Sequence, residues 1–359
     1  VDHRRRVRAS GAVLVAAALL TAGCGAQSPA PTSVQPADGL PTAPPASPGE
    51  PSPAVPPPPP SGPSVAGCPA ATVLVAGAPA LQSALRHARA GDVIALEPGI
   101  YSGNFLVTAS GTADRPIHVC GSADAVLDGG TVQDGEVLRL DGAQHWRLVG
   151  FGVRNGRKGI LAEGTVGSVF SGLAVSGVGD QAVILRRAST DNLVTGLTIR
   201  GTGLRRPASG EGIYVGTPAA RWCEVTACAP DASDRNAIVG NDIAGTTAES
   251  VDVREGTSDG ILRGNRFDGT GMSAADSWVD IKGNGWLIEE NAGVNSPGDG
   301  FETHEAVEGW GGRNTFRDNV ADVNGPGRGY SIRTRQGNVF ECSNEASRAA
   351  AGRSNMLCT

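Results

Sequence analysis

Asparagines stand at positions 241, 265, 291, 319 and 344, spaced by 24, 26, 28 and 25 residues. Each opens or closes a similar phrase: Asn241-Asp242-Ile243, Asn265-Arg266-Phe267, Asn291-Ala292-Gly293, Asn319-Val320-Ala321 and Asn344-Glu345-Ala346. Phe151, Leu173 and Leu197 continue the series upstream at spacings of 22 and 24. A repeat of this length, built from short alternating stretches, constrains the chain to a stack of coils in which each coil buries its apolar edge only against its neighbours. The recurrent asparagine reads as a side-chain amide ladder inside a turn. Aromatic residues make up only 4% of the chain, and no helical pattern longer than a few turns follows Ala90, which argues against a compact α/β domain. Residues 67–359 are expected to form one all-β domain, a parallel β-solenoid of about ten coils.

The ends of that domain carry their own signals. Leu81, Ala84, Leu85 and Ala88 lie at helical spacing before Gly91-Asp92, so a short amphipathic helix is expected to cap the open end of the solenoid. Six cysteines follow Cys24, an even number in a chain that carries an export signal, and 15 pairings are possible in principle. Proximity in sequence favours three local staples: Cys68 with Cys120, Cys223 with Cys228, and Cys342 with Cys358.

Residues 1–23 read as that export signal: Arg4, Arg5, Arg6 and Arg8 precede an apolar run from Gly11 to Leu20. Thr21-Ala22-Gly23-Cys24 resembles the lipobox of bacterial lipoproteins, which implies lipidation at Cys24 and a location on the outer face of a bacterial cell membrane. The run is shorter than the roughly 20 residues of a spanning helix, so the lipid is the expected membrane contact. Residues 24–66 are rich in Pro, Ala and Ser, include Pro56 to Pro60 unbroken, and read as a disordered spacer. Without the signal, the net charge of −6 becomes about −9, because four arginines and one aspartate leave with it. No global positive field would recruit nucleic acid. The expected state is a monomer.

Equivalent strands stacked in parallel place like positions in columns about 4.8 Å apart. One outward column then runs Leu161, Ile184, Tyr214, Asp252, Asp280, Glu302, Ser331. Two residues along, a second runs Glu163, Arg186, Gly216, Arg254, Lys282, His304, Arg333. Charge of both signs is concentrated on three successive coils. Two insertions, Thr217 to Arg235 and Ala306 to Gly312, leave the same strand ends and would wall a cleft, with Trp222, Trp310 and Trp278 placed to stack on sugar rings.

Gly91-Asp92-Val93-Ile94-Ala95-Leu96-Glu97-Pro98-Gly99-Ile100-Tyr101, followed by Ser110-Gly111-Thr112-Ala113-Asp114-Arg115-Pro116-Ile117, resembles the opening of right-handed parallel β-helix carbohydrate-active proteins of the pectate-lyase-like type. Glu249-Ser250-Val251-Asp252-Val253-Arg254 with Asn265-Arg266-Phe267 is similar to a segment of the chondroitinase B and alginate lyase family. That resemblance implies a calcium-binding glutamate at Glu249 and a base five residues later. Here Arg254 stands where lysine is expected and Lys282 where arginine is expected.

The residues themselves point to a polysaccharide partner. Stacked carboxylates repel unless cations compensate them, so Glu249, Asp252, Asp280 and Glu302 are the expected ligands of a Ca²⁺ ion. β-Elimination from a uronic acid needs a neutraliser for the carboxylate, a base, and an acid for the leaving oxygen. Lys282, beside Arg254 and with a pKa expected to be lowered by it, is the expected base; His304 is the expected acid, with Arg333 contacting substrate. Three other readings stay open: a hydrolase using Asp252 and Asp280 as paired carboxylates, a non-catalytic glycan-binding module, and a purely structural salt-bridge ladder.

Overall fold

The computed structural model describes residues 67–334 and 336–359, so the expected signal, Cys24 and the spacer lie outside the described residues. The described chain is all-β. Thirty short strands run parallel in three sheets of 11, 9 and 10 strands, wound as a right-handed solenoid of about ten turns. Nine coils contribute one strand to each sheet and the first and last described coils fewer, so neighbours in a sheet are neighbours in the repeat rather than in sequence.

The expected amide ladder forms. Asn241, Asn265, Asn291, Asn319 and Asn344 are all buried, and the Nδ2 of each of the first four donates to the Oδ1 of the next at 2.8, 2.9, 2.9 and 2.9 Å. Asn265 Nδ2 also donates to Ile238 O at 2.9 Å, so the ladder satisfies turn carbonyls that the strands leave over. Phe151, Leu173 and Leu197 are buried in the same series, and the Leu197 amide donates to Asn241 Oδ1 at 2.9 Å.

The nine-stranded sheet carries the charged columns. Its strands are β1 (Phe105–Val107), β2 (Glu136–Asp141), β3 (Lys158–Glu163), β4 (Val183–Arg186), β5 (Ile213–Val215), β6 (Val251–Val253), β7 (Ser277–Ile281), β8 (Asp299–Thr303) and β9 (Tyr330–Ile332). Val251, Val253, Val279, Ile281 and Phe301 fill the coil interior. The Phe301 and Tyr330 rings stack there at 5.3 Å. Each such side chain taken out of water stabilises the fold by about 1.5–3 kcal/mol, and a register slip of one residue would exchange it for a charge.

A helix, α1 (Ala78–His87), turns Leu81 and Leu85 inward beside the first coils. A cap over the open end, expected from the same segment, is not supported beyond that. The three disulfides pair as expected, Cys68 with Cys120, Cys223 with Cys228 and Cys342 with Cys358.

Candidate active site

The column read from the sequence is the column in the sheet. Leu161, Ile184, Tyr214, Asp252, Asp280, Glu302 and Ser331 face one another in unbroken register from β3 to β9. Arg254, Lys282, His304 and Arg333 follow two residues later, and each of their amides donates to the carbonyl of the preceding coil. These side chains point outward, away from the apolar interior. They are nonetheless far less exposed than a solvated face implies: Asp252, Asp280, Lys282 and Glu302 are 3%, 5%, 8% and 0% exposed. They bury one another.

Lys282 sits at the centre. Its Nζ lies 2.7 Å from Asp252 Oδ1 and 2.6 Å from Asp280 Oδ2. Burial alone would lower its pKa, and Arg254 adds to that, but Asp252 and Asp280 outweigh both and hold the ammonium well above the ordinary lysine value. This reverses the expected lowering: the sequence placed Arg254 beside Lys282 but could not show two carboxylate oxygens closer still. Lys282 is a fixed cation, not a resting base.

On the other side of Asp280, His304 Nδ1 lies 2.8 Å from Oδ1. Burial raises the Asp280 carboxyl, but Lys282 and His304 pull it down to about 2. An ionised carboxylate only accepts, so His304 Nδ1 carries the hydrogen of that bond; in the neutral imidazole the lone pair is on Nε2, 3.8 Å from Glu302 Oε2. Arg254 completes the row, with Nη1 3.2 Å from Asp252 Oδ2 and its guanidinium carbon 6.0 Å from the centre of the Tyr214 ring. Burial and Asp252 keep the Tyr214 hydroxyl protonated far above neutral pH, against the pull of Arg254.

The expected carboxylate ligand set divides. The space between Asp252 and Asp280, where a bridging cation was expected, is filled by the Lys282 ammonium. Glu302 gives Oε1 to Arg333 at 2.6 Å; burial pushes its carboxyl up to about 9, with Asp299 and Asp276 adding to the rise. Glu249 instead joins Asp252 and Glu211, each bringing one carboxylate oxygen within 4.8 Å of the others. Asp280, Glu302 and His304 form a second such group. Glu211 is buried, its Oε2 has no hydrogen-bond partner, and burial with Asp252 raises it to about 8, while Glu249 rises to about 7 for the same reasons. Glu211 was not singled out from the sequence. The signal was present: it precedes Gly212 as Glu249 precedes Ser250, and those two positions pair.

The tryptophans behave differently from the expectation. Trp278 is fully buried inside the solenoid, edge-on to Phe301 at 5.8 Å. Glycines 269, 293 and 300 surround its indole, and a Cβ on any of them would approach it within 2.8 Å, so Trp278 is a core residue and not a sugar platform. Trp222 opens the short helix α2 (Trp222–Val225) and is half-buried, with Nε1 donating to Thr217 O at 2.8 Å. It anchors its loop, whereas Arg221, Glu224 and Val225 of that loop line the cleft. Trp310 is half-buried in the Ala306 to Gly312 insertion and lines neither hollow of the cleft.

The cleft consists of two adjoining hollows of about 430 and 340 Å³ on the amino-terminal side of the ion network, sharing Lys158, Arg186 and Arg221. Lys158 and Lys282 are the only lysines of the chain; the first opens β3 and the second directly follows β7. Burial, then Arg186 and Arg157, lowers Lys158 to about 8.

Among solved structures, the alginate lyase from Paenibacillus sp. str. FPU-7 superposes with a TM-score of 0.74 and is 31% identical, over 80% of this chain and 99% of the relative. The chain belongs to the pectate-lyase-like β-helix family. Other members of this fold are more distant: pectate lyase Pel9A (TM-score 0.59, 14% identity, 77% of this chain and 72% of that one) and the polygalacturonase of Erwinia carotovora ssp. carotovora (0.55, 9%, 82% and 97%). These two share the fold alone. No family model and no curated protein matches the chain.

Proposed function

We propose that the protein is a glycan-degrading lyase that cleaves an acidic, uronate-containing polysaccharide by β-elimination. The observation that carries this reading is the Asp280 carboxylate, which holds Lys282 on one oxygen and His304 on the other. A fixed cation and a nitrogen base with a free lone pair are thereby set side by side on an outward face. In the proposed reaction, His304 Nε2 takes the proton α to the uronate carboxyl. Lys282 and Arg254 stabilise the negative charge that moves onto that carboxyl as the proton leaves. The proton taken by His304 Nε2 is then handed to the departing glycosidic oxygen, so one imidazole serves as base and acid in turn. His304 thus takes the role first expected of Lys282, and Lys282 becomes the electrostatic partner. The alginate lyase likeness favours a polyuronate as substrate.

The paired-carboxylate hydrolase is disfavoured by the same contacts. Asp252 and Asp280 share one ammonium, and Asp280, down at about 2, has no proton to give a leaving group. Calcium fits a site other than the one expected. Glu211, Glu249 and Asp252 would hold it, since hard oxygen donors with an unpartnered buried oxygen suit that ion. When bound, it would supply positive charge to a substrate carboxylate. We also propose that the protein is exported and tethered through a lipid on Cys24, with residues 24–66 as the spacer.

The test is incubation of the purified protein with alginate, polygalacturonate and neutral glycans, with and without Ca²⁺. Ultraviolet absorbance from the unsaturated product is expected with a polyuronate and lost in His304→Ala. Reducing ends without that absorbance would mean hydrolysis, and binding without products would mean a glycan-binding module.

A further inference from the structure

The sheet is not symmetric about the His304 and Lys282 centre. On its carboxyl-terminal side one strand remains, β9, and its outward cation Arg333 is taken by Glu302 at 2.6 Å and Asp276 at 3.4 Å. On the amino-terminal side, beyond β6, lie five strands and both hollows of the cleft. The hollow nearer the centre is faced by Lys158, Arg186, Arg206, Arg221 and Arg254, with Glu211 as its single carboxyl. Such a concentration of positive charge is unusual in a chain with a net charge of −6.

Two of these cations are uncommitted. Glu136, the carboxylate in register with Lys158, is taken by Arg157 at 2.6 Å. Lys158 and Arg206 have no salt-bridge partner among the described residues, whereas Arg186 is held by Glu163 at 2.7 Å and Arg221 by Glu224 at 3.0 Å. A half-buried ammonium with no carboxylate partner, at the edge of an open hollow, is stabilised by an anion that visits it. Lys282, just after β7, and Arg186 on β4 are three strand spacings apart, about 14 Å along the solenoid axis.

We infer that Lys158 and Arg206 form a carboxylate-binding subsite for a sugar several residues along the glycan from the one that reacts. The polymer then runs from the centre toward the amino-terminal coils, and the substrate class is one with carboxylates on successive residues on that side. This rests on the lyase reading for its reacting centre but not for its binding.

The experiment compares the protein with the Lys158→Ala/Arg206→Ala double variant, with folding checked by circular dichroism. Calorimetry would follow the binding of saturated oligomannuronates and oligogalacturonates of two to eight residues, and steady-state kinetics would follow their cleavage. For the unaltered protein, affinity is expected to rise with chain length. The double variant should keep its affinity for the shortest oligomers and kcat, and bind the longest at least about tenfold more weakly. An unchanged length dependence in the variant would overturn the subsite while leaving the lyase reading intact. Length-dependent binding without any cleavage would do the reverse. Failure of the unaltered protein to bind any oligouronate would overturn the subsite. If the double variant misfolds, Lys158→Gln and Arg206→Gln singly give the same comparison.

Discussion

The asparagine ladder and the charged column are built by the same device, one side chain per coil repeated along the axis, yet they end as opposites. A carboxamide both donates and accepts, so Asn241 to Asn344 pair down the ladder, give their remaining hydrogens to turn carbonyls, and need no charged partner. A carboxylate only accepts, so Asp252 and Asp280 cannot pair with each other and must import Lys282 from the adjacent row. Stacking makes a self-complementary residue into scaffold. It makes a residue that cannot complement itself into a site.

The largest expected effect breaks the charged column at its centre. Lys282→Met leaves Asp252 and Asp280 facing each other without their cation. A loss of about 3–5 kcal/mol in urea unfolding is expected from stranding buried charges, together with a rate loss of at least about a hundredfold. A fully active and stable Lys282→Met would dissolve the network as described. His304→Ala should separate the two roles: a rate lower by about 10²- to 10⁴-fold, with thermal unfolding nearly unchanged, because this side chain is 27% exposed and hangs from Asp280 alone at hydrogen-bond distance.

Asn265→Ala tests the other column. It strands the Ile238 carbonyl and the Asn241 amide, and a loss of about 2–3 kcal/mol is expected with kcat unchanged in the folded fraction. A kcat change there would show that the ladder feeds the site.

The smallest effect is a slope. Glu211, Glu249 and Glu302 have folded pKa values raised to about 8, 7 and 9, above the ordinary value of 4.5. Between about pH 5 and 8 the folded protein therefore holds more protons than the unfolded chain, and stability falls as pH rises through that window. Calorimetric melting at pH 5, 6, 7 and 8 should show the fall, Glu211→Gln should lessen it, and Ca²⁺ should lessen it if Glu211 and Glu249 bind the ion.

Strict alternation at Val251, Val253, Val279, Ile281 and Phe301 made the register of the site legible, because any other register buries charge. Periodicity names rows but not distances, so Lys282 was read from its neighbour in the row and not from the two oxygens flanking its nitrogen. Trp278 was misread because proximity to Asp280 in sequence suggested a shared face. The legible sign against it was the set of glycines at 269, 293 and 300 that clear a cavity for an indole. Glu211 was missed because it stands just before its strand, where alternation has not begun.

The scarcity of lysine gives the molecule a chemical address. Twenty-eight of its 30 basic residues are arginine, which acylating reagents leave alone at neutral pH, and the two side-chain amines differ sharply in availability. Lys282 is locked as an ammonium between two aspartates, whereas Lys158, lowered to about 8, offers a free lone pair near neutral pH. An amine-directed reagent applied to the folded domain therefore has one favoured side-chain target, and the position it marks there lines the cleft. A dye placed there would report a passing glycan by its own change in brightness, whatever becomes of the bond downstream.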